Sequence, residues 1–536
     1  MSRKIRSRNT SLTGLAKLKA YWKQDMLAGF MVFLIALPLS LGIAKASGFP
    51  PAMGVLTAIV GGVFTPIFRV SELSIKGPAA GLITICAASV MEFGGDEQAW
   101  MITCAAIVVM AILQIILSLL KFGDYADFFP HSAVHGMLSA IGIIIIAKQI
   151  PVLLGENPTA YAGEGPIELL LDIPRFISHA NWPVAVVGFV GLLAMFLIPV
   201  IKLKLIQKIP APMWVLLLTV PLSIYWQFGD MKGNYTLVQI GDFWGSFGFH
   251  FDFSAIATFA FWKYVFMLLF VNSLESMLTV KAVDDLQPET EKSDANGDLM
   301  GNGFGNFIAG FLGATPMISE VVRSSANIGF KAKSKWANFF HGAFLLLAMI
   351  FLIPIIEKIP NAALAAILIY AGYRLAAPRE FLLTYRVGKE QLAAFLATIV
   401  VTLVQDLLIG ILAGLIVELS IYLFMGVKLS NLVKANYQLV ERDKELVVVL
   451  KGAALFTNII GFKKVFYRIP EKSTFFLDCS EAKLIDHSFL FFIQVFQKDY
   501  NRKGGHFKLI GMQNHSRFSS HKLATRIKKE KEGSNE

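Results

Sequence analysis

Glu275 places a carboxylate where carboxylates are costly, inside the otherwise apolar run Phe270-Val271-Asn272-Ser273-Leu274-Glu275-Ser276-Met277-Leu278-Thr279. An acid kept within a membrane span lines a cavity or pairs with a cation. Thr279 follows one helical turn later, on the same face. Together they offer hard oxygen ligands suited to Na⁺, or a carboxylate able to take up and release a proton. The plainer alternative is an acid bonded to a neighbouring helix terminus.

Two other stretches favour negative charge. Ser74-Ile75-Lys76-Gly77-Pro78-Ala79-Ala80-Gly81 opens an apolar segment too short to cross a bilayer. Gly77 permits a turn, Pro78 suits the first helical position, and Ala79, Ala80 and Gly81 leave the backbone uncovered. Gly313-Ala314-Thr315-Pro316-Met317-Ile318-Ser319-Glu320 repeats the pattern, with Ser319 as the expected N-cap. A helix beginning inside lipid presents unpaired N–H donors and roughly half a positive charge, which together suit an anion. Arg323 either adds its charge to such a site or is neutralised by Glu320, three residues before it. The Ser319 and Glu320 carbonyls are candidates to hold a cation near Glu275. Lys76 is expected to snorkel to the cytoplasmic surface. His131, His135 and His341 are expected at membrane interfaces.

These residues need a membrane to sit in, and the composition supplies one. Of 536 residues, 55% are hydrophobic and 16% charged, and the mean hydropathy is +0.59. Those values exclude an ordinary soluble domain and identify a polytopic membrane protein. The apolar runs give about fourteen segments, of which the third and tenth are short. These occupy the same place in each half of seven, the mark of a 7+7 inverted repeat with its site at the bilayer midplane. Basic residues Arg3, Lys4, Arg6, Arg8, Lys17, Lys19 and Lys23 precede the first span. They and the basic loops put both termini in the cytoplasm, and this accounts for the net charge of +11 without a nucleic-acid partner. Cys86, Cys104 and Cys479 show no paired or metal-type spacing. No nucleotide cradle or nucleophile elbow is present, so no enzyme and no organic cofactor are expected.

The expected organisation is a basic segment over 1–24, a transmembrane domain over 25–430, a soluble α/β domain over 440–521 and a charged, disordered tail over 522–536. The soluble part reads as strands at 445–450, 473–477 and 507–510, with helices near 462–468 and 488–500.

Over nearly its whole length the chain resembles the SulP family of inorganic anion transporters. The resemblance rests on Asp25-Met26-Leu27-Ala28-Gly29, Ala36-Leu37-Pro38-Leu39-Ser40-Leu41, Ala46-Ser47-Gly48-Phe49-Pro50-Pro51, Ser74–Ala79 and Asn272–Thr279. Asp478-Cys479-Ser480-Glu481-Ala482 and Ile485-Asp486-His487-Ser488 are similar to the STAS signature that follows the membrane domain in this family. The resemblance implies an all-α membrane domain of core and gate parts moving as an elevator, a small cytoplasmic STAS-like domain, a homodimer in membrane lipid, and location in a bacterial inner membrane. By position, Leu39, Ile43, Ala79, Ala80, Val321, Val322 and Arg323 would line the anion site. Glu275 and Thr279 match the sodium-binding positions of bicarbonate-transporting relatives, where the first is Asp. Glu320 stands where relatives commonly have a small residue, so Na⁺ and H⁺ coupling both stay open for the group Glu275, Thr279, Ser319 and Glu320. The STAS loop Asp486-His487-Ser488-Phe489 departs from the usual Asp-Ser-Ser-Gly and puts phosphorylation there in doubt. The expected function is secondary active transport of sulfate or bicarbonate. The alternatives are a nucleobase or organic-anion carrier of the same fold, and a passive anion channel.

Overall fold

Long apolar runs interrupted by Gly and Pro become helices broken at those interruptions. The computed structural model describes residues 14–529 except 124–129, 157–160, 162–163, 204–205, 207–208, 231–235, 241–242, 245–247, 287–292, 406, 443–444 and 471–472. Arg3, Lys4, Arg6, Arg8 and the end of the expected tail, 530–536, lie outside the described residues.

In chain order the helices are α1 (Leu15–Ala46), α2 (Pro51–Val63), α3 (Ile83–Glu92), α4 (Glu97–Leu119), α5 (His131–Leu154), α6 (Pro166–Leu171) and α7 (Ile173–Ser178). Then come α8 (Trp182–Leu197), α9 (Ala211–Tyr225), α10 (Phe259–Leu286), α11 (Ala295–Phe311), α12 (Val321–Gly329), α13 (Trp336–Phe351) and α14 (Ile353–Ile356). The last are α15 (Asn361–Leu375), α16 (Pro378–Val387), α17 (Lys389–Val404), α18 (Leu407–Phe424), α19 (Leu429–Val433), α20 (Ile459–Phe466) and α21 (His487–Arg502). Among the described residues, six helices are long and apolar enough to cross a bilayer, those at Leu15–Ala46, Glu97–Leu119, His131–Leu154, Trp182–Val200, Phe259–Asp284 and Leu407–Phe424. Pro51–Ile67, Ala80–Glu92, Ala211–Tyr225 and Trp336–Phe351 are apolar but shorter.

The chain divides into two compact units. The first comprises Met1–Gly123, Ile145–Glu164 and Leu171–Ala371. An all-α membrane domain is expected there, yet this unit contains strands β1 (Ile75–Pro78) and β2 (Met317–Glu320). They pair antiparallel, Ile75 with Glu320, Lys76 with Ser319, Gly77 with Ile318 and Pro78 with Met317. The sequence reads both stretches as helix starts; the chain instead extends for four residues before each helix begins. The pairing explains why, because two backbones inside lipid that are not helical must satisfy each other.

The second unit comprises Asp124–Ile144, Gly165–Leu170 and Gly372–Glu536. Its α/β part holds β3 (Tyr437–Arg442), β4 (Glu445–Leu450), β5 (Gly452–Ala454), β6 (Thr474–Asp478), β7 (Ala482–Ile485), β8 (His506–Ile510), β9 (His515–Arg517) and β10 (Arg526–Lys528). One sheet runs β3-β4-β6-β8, with β4, β6 and β8 parallel, as the expected strand-helix alternation requires. A second sheet, β5-β7-β10-β9, is built from strands of three or four residues, too short to show a period. Strand β10 falls within the expected disordered tail. It is held by antiparallel pairing to β7 and β9, so the chain is ordered through at least Lys528. Phe456, Phe462, Phe466, Phe475 and Phe489 fill the core beneath the sheets.

Candidate functional site

Side chains alternate across a strand, so the β1/β2 ladder has two faces with different chemistry. Gly77 and Glu320 belong to one face, Lys76 and Ser319 to the other. Strand β2 runs directly into α12, while β1 leads into α3 through Ala79 and a turn at Ala80–Leu82. The two helix N-termini therefore lie at opposite ends of a four-pair ladder, on the order of 10 Å apart along the strands.

The Gly77 face carries a buried positive charge. Arg323, on the first turn of α12, is wholly buried, and its Nη2 donates to Ser40 Oγ of α1 at 3.1 Å. Its Nε and Nη1 have no hydrogen-bond partner among the described residues. Nη1 lies directly over Gly77, and a Cβ there would collide with it. Buried guanidinium donors that lack hydrogen-bond partners attract an oxyanion. Leu39 and Ile43 of α1 are buried on either side of Ser40 in sequence, and Ala79 is buried ahead of α3. Ala80 and Val322 are half-buried, while Val321 is 41% exposed.

Each helix start already carries a carboxylate. Glu320 is the N-cap of α12, in place of the expected Ser319: its oxygens accept from the N–H groups of Val322 at 3.2 Å and Arg323 at 2.6 Å. Its Oε2 also lies 3.9 Å from Arg323 Nε. Glu275 of α10 reaches the turn that begins α3, where its carboxylate occupies the space a Gly81 side chain would take. Thr279 is buried one turn further along α10. Pro78, expected at the first helical position, is instead the last residue of β1 and opposes Met317.

The opposite face holds a closed ion pair. Lys76 does not snorkel; it is fully buried and its Nζ lies 2.5 Å from Asp298 Oδ1 of α11 and donates to Ser319 Oγ. Asp298 also accepts from the Ser71 N–H at 3.0 Å and from Ser319 Oγ at 2.7 Å. The Ser319 hydroxyl is thus committed to this pair. His341 of α13 is likewise fully buried, not interfacial, and neither ring nitrogen has a hydrogen-bond partner among the described residues.

Side-chain amides complete the ladder. Asn306 of α11 accepts from the Met317 N–H at 2.6 Å and donates to the Met317 carbonyl at 3.1 Å, to which Asn272 donates at 2.8 Å. Gln114 of α4 donates to Asn272 at 2.8 Å and accepts from Asn306 at 3.0 Å. On β1, the Ile75 N–H donates to Ser324 and the Lys76 N–H to Asn338. Sequence reading misses Ser40, Gln114, Asp298 and Asn306. One signal was there to find: Asp298, Asn302 and Asn306 recur every four residues and so make a polar stripe along α11.

The model of the sulfate permease family matches residues 22–425. The putative sulfate transporter YvdB of Bacillus subtilis (strain 168) is 24% identical over 67% of this chain and 66% of its own length. The bicarbonate transporter BicA of a Picosynechococcus strain is 24% identical over 65% of this chain, which spans 61% of that relative. In fold, the transmembrane domain of a cyanobacterium BicA superposes with a TM-score of 0.60 at 20% identity, covering 74% of this chain and 97% of that one. The murine Slc26a9 anion transporter in its inward-facing state covers 94% of this chain and 90% of its own, with a TM-score of 0.61 at 15% identity.

Proposed function

The chain belongs to the sulfate permease family, and from that premise we propose that it moves a small inorganic oxyanion, sulfate or bicarbonate, by secondary active transport. It is a transporter-family protein and not an enzyme. The observation that carries the reading is Arg323, buried, with Nε and Nη1 lacking hydrogen-bond partners among the described residues and Nη1 set over Gly77 of the β1/β2 ladder. Arg323 and the α3 amides would hold the anion, with Leu39, Ile43, Ala79, Ala80 and Val322 as its apolar walls and Val321 at the margin. Glu275 and Thr279 supply a carboxylate and a hydroxyl on one helical face, a donor set that fits Na⁺, and the same carboxylate serves for H⁺. One cation at Glu275 offsets the charge that would otherwise oppose an incoming anion beside it. Fourteen spans in a 7+7 repeat, a homodimer and elevator movement of the strand-bearing part belong to the same proposal, as do cytoplasmic termini in a bacterial inner membrane.

The test is uptake of labelled sulfate and bicarbonate by purified protein in liposomes under imposed Na⁺ or pH gradients. Glu275→Gln is expected to abolish gradient-driven accumulation while the protein keeps its elution profile. Undiminished driven uptake in that variant removes Glu275 from the mechanism, and a field-dependent current without accumulation supports a channel instead.

A further inference from the structure

Charge at the strand crossing can be counted group by group. Lys76 and Asp298 neutralise each other on the far face of the ladder. On the anion face stand one guanidinium, Arg323, and two carboxylates, Glu275 and Glu320. Two helix N-termini add roughly half a positive charge each. The sum is close to zero with all three side chains ionised, and the α12 donors already hold Glu320 through two N–H contacts.

That arrangement makes Glu320 a substrate mimic tied to the protein. Its carboxylate lies where an oxyanion would take the Val322 and Arg323 amides, and it stands beside the guanidinium that would hold the rest of the ligand. Resting on the oxyanion-transport reading above, we propose that Glu320 is an internal competitor that tunes the site to singly charged oxyanions, of the bicarbonate type, over doubly charged ones such as sulfate. An arriving anion must displace the Glu320 carboxylate or share Arg323 with it. Sharing opposes a dianion about twice as strongly as a monoanion, because Coulomb repulsion scales with charge in a closed site. Displacement leaves a carboxylate that must settle nearby, again at greater cost beside two ligand charges than one.

The deciding measurement is equilibrium binding of sulfate and of bicarbonate at pH 8, by titration calorimetry on the full chain in detergent. It compares wild type, Glu320→Gln, Glu320→Ala and Arg323→Gln, with melting curves to establish that each is folded. Glutamine keeps an oxygen to cap α12 but removes the charge, so a cap-only role is separated from a charge role. Wild type is expected to prefer bicarbonate. Glu320→Gln is expected to tighten sulfate at least tenfold and to tighten bicarbonate less, so that the preference narrows or inverts. A sulfate-to-bicarbonate ratio unchanged within twofold in Glu320→Gln overturns the proposal, as does a shift toward bicarbonate. If Glu320→Gln fails to fold, the folded Glu320→Ala variant is held to the same ratio. Arg323→Gln separates the two levels: if it binds both anions as wild type does, the anion-site reading itself fails. If it loses both while Glu320→Gln changes nothing, only the competitor proposal fails.

Discussion

Lys76 and Asp298 are both shut away from solvent, and each supplies the counter-charge the other lacks. Removing one partner of such a pair strands the other, at a cost of about 3–5 kcal/mol, whereas removing both costs less. Lys76→Met is therefore expected to melt well below wild type in detergent, and Lys76→Met combined with Asp298→Asn to recover part of the loss. A double variant no better than the single one would show that the pair is not coupled. A second residue-scale prediction concerns pH. Asp486, in the α/β part, accepts from the N–H groups of Phe489 at 2.7 Å and Phe456 at 2.6 Å. Burial, reinforced by the Glu418 carboxylate, nevertheless pushes it up to about 8. An acid raised on folding stabilises below its unfolded value, near 3.8, and that contribution drains away as pH climbs through about 8. Melting temperature should then fall between pH 6 and 9 in wild type and fall less in Asp486→Asn; parallel curves would exclude the effect. At this scale the sequence was partly legible. Glu275 and Arg323 stand out as charges in apolar runs, whereas the burial of Lys76 depends on a partner 222 positions away.

The paired strands β1 and β2 depend on amide side chains from three helices. Met317 has both its N–H and its carbonyl met by Asn306, with Asn272 sharing the carbonyl. Replacing Asn306 with Leu leaves that backbone short of partners where no water can stand in, at a cost of about 1–3 kcal/mol. The expected result is a lower melting temperature together with faster hydrogen exchange at Met317–Glu320; unchanged exchange would show that the ladder holds without it. Gly81→Ala tests the other end. A methyl group there meets the Glu275 carboxylate, so cation-coupled uptake should fall sharply while the fold survives. The Gly and Pro punctuation marks both segments as interrupted before a short helix. It did not announce strands, since four residues carry too little pattern and the pairing is long-range. Ser319 lost the cap to Glu320 for a related reason: its hydroxyl faces the ion pair behind the ladder.

For the chain as a whole, family and general architecture followed from hydropathy, the paired interruptions and the motif resemblance. The second sheet did not, being made of strands of three or four residues. Within the second unit, Tyr422 and Val427 join the same apolar core as Phe456 and Phe489, and Ser519 donates to the Arg386 and Val387 carbonyls. Ending the chain at Lys428 would uncover that core, so a truncated protein is expected to aggregate on size-exclusion chromatography; a monodisperse truncation would show that the membrane helices tolerate its loss. Finally, Lys76 and Ser319 face each other across the ladder although 243 positions separate them in the chain. During synthesis β1 therefore has no partner strand until β2 has been made, so a nascent polypeptide holds the Lys76 ammonium group and the β1 backbone unpaired across most of the intervening chain.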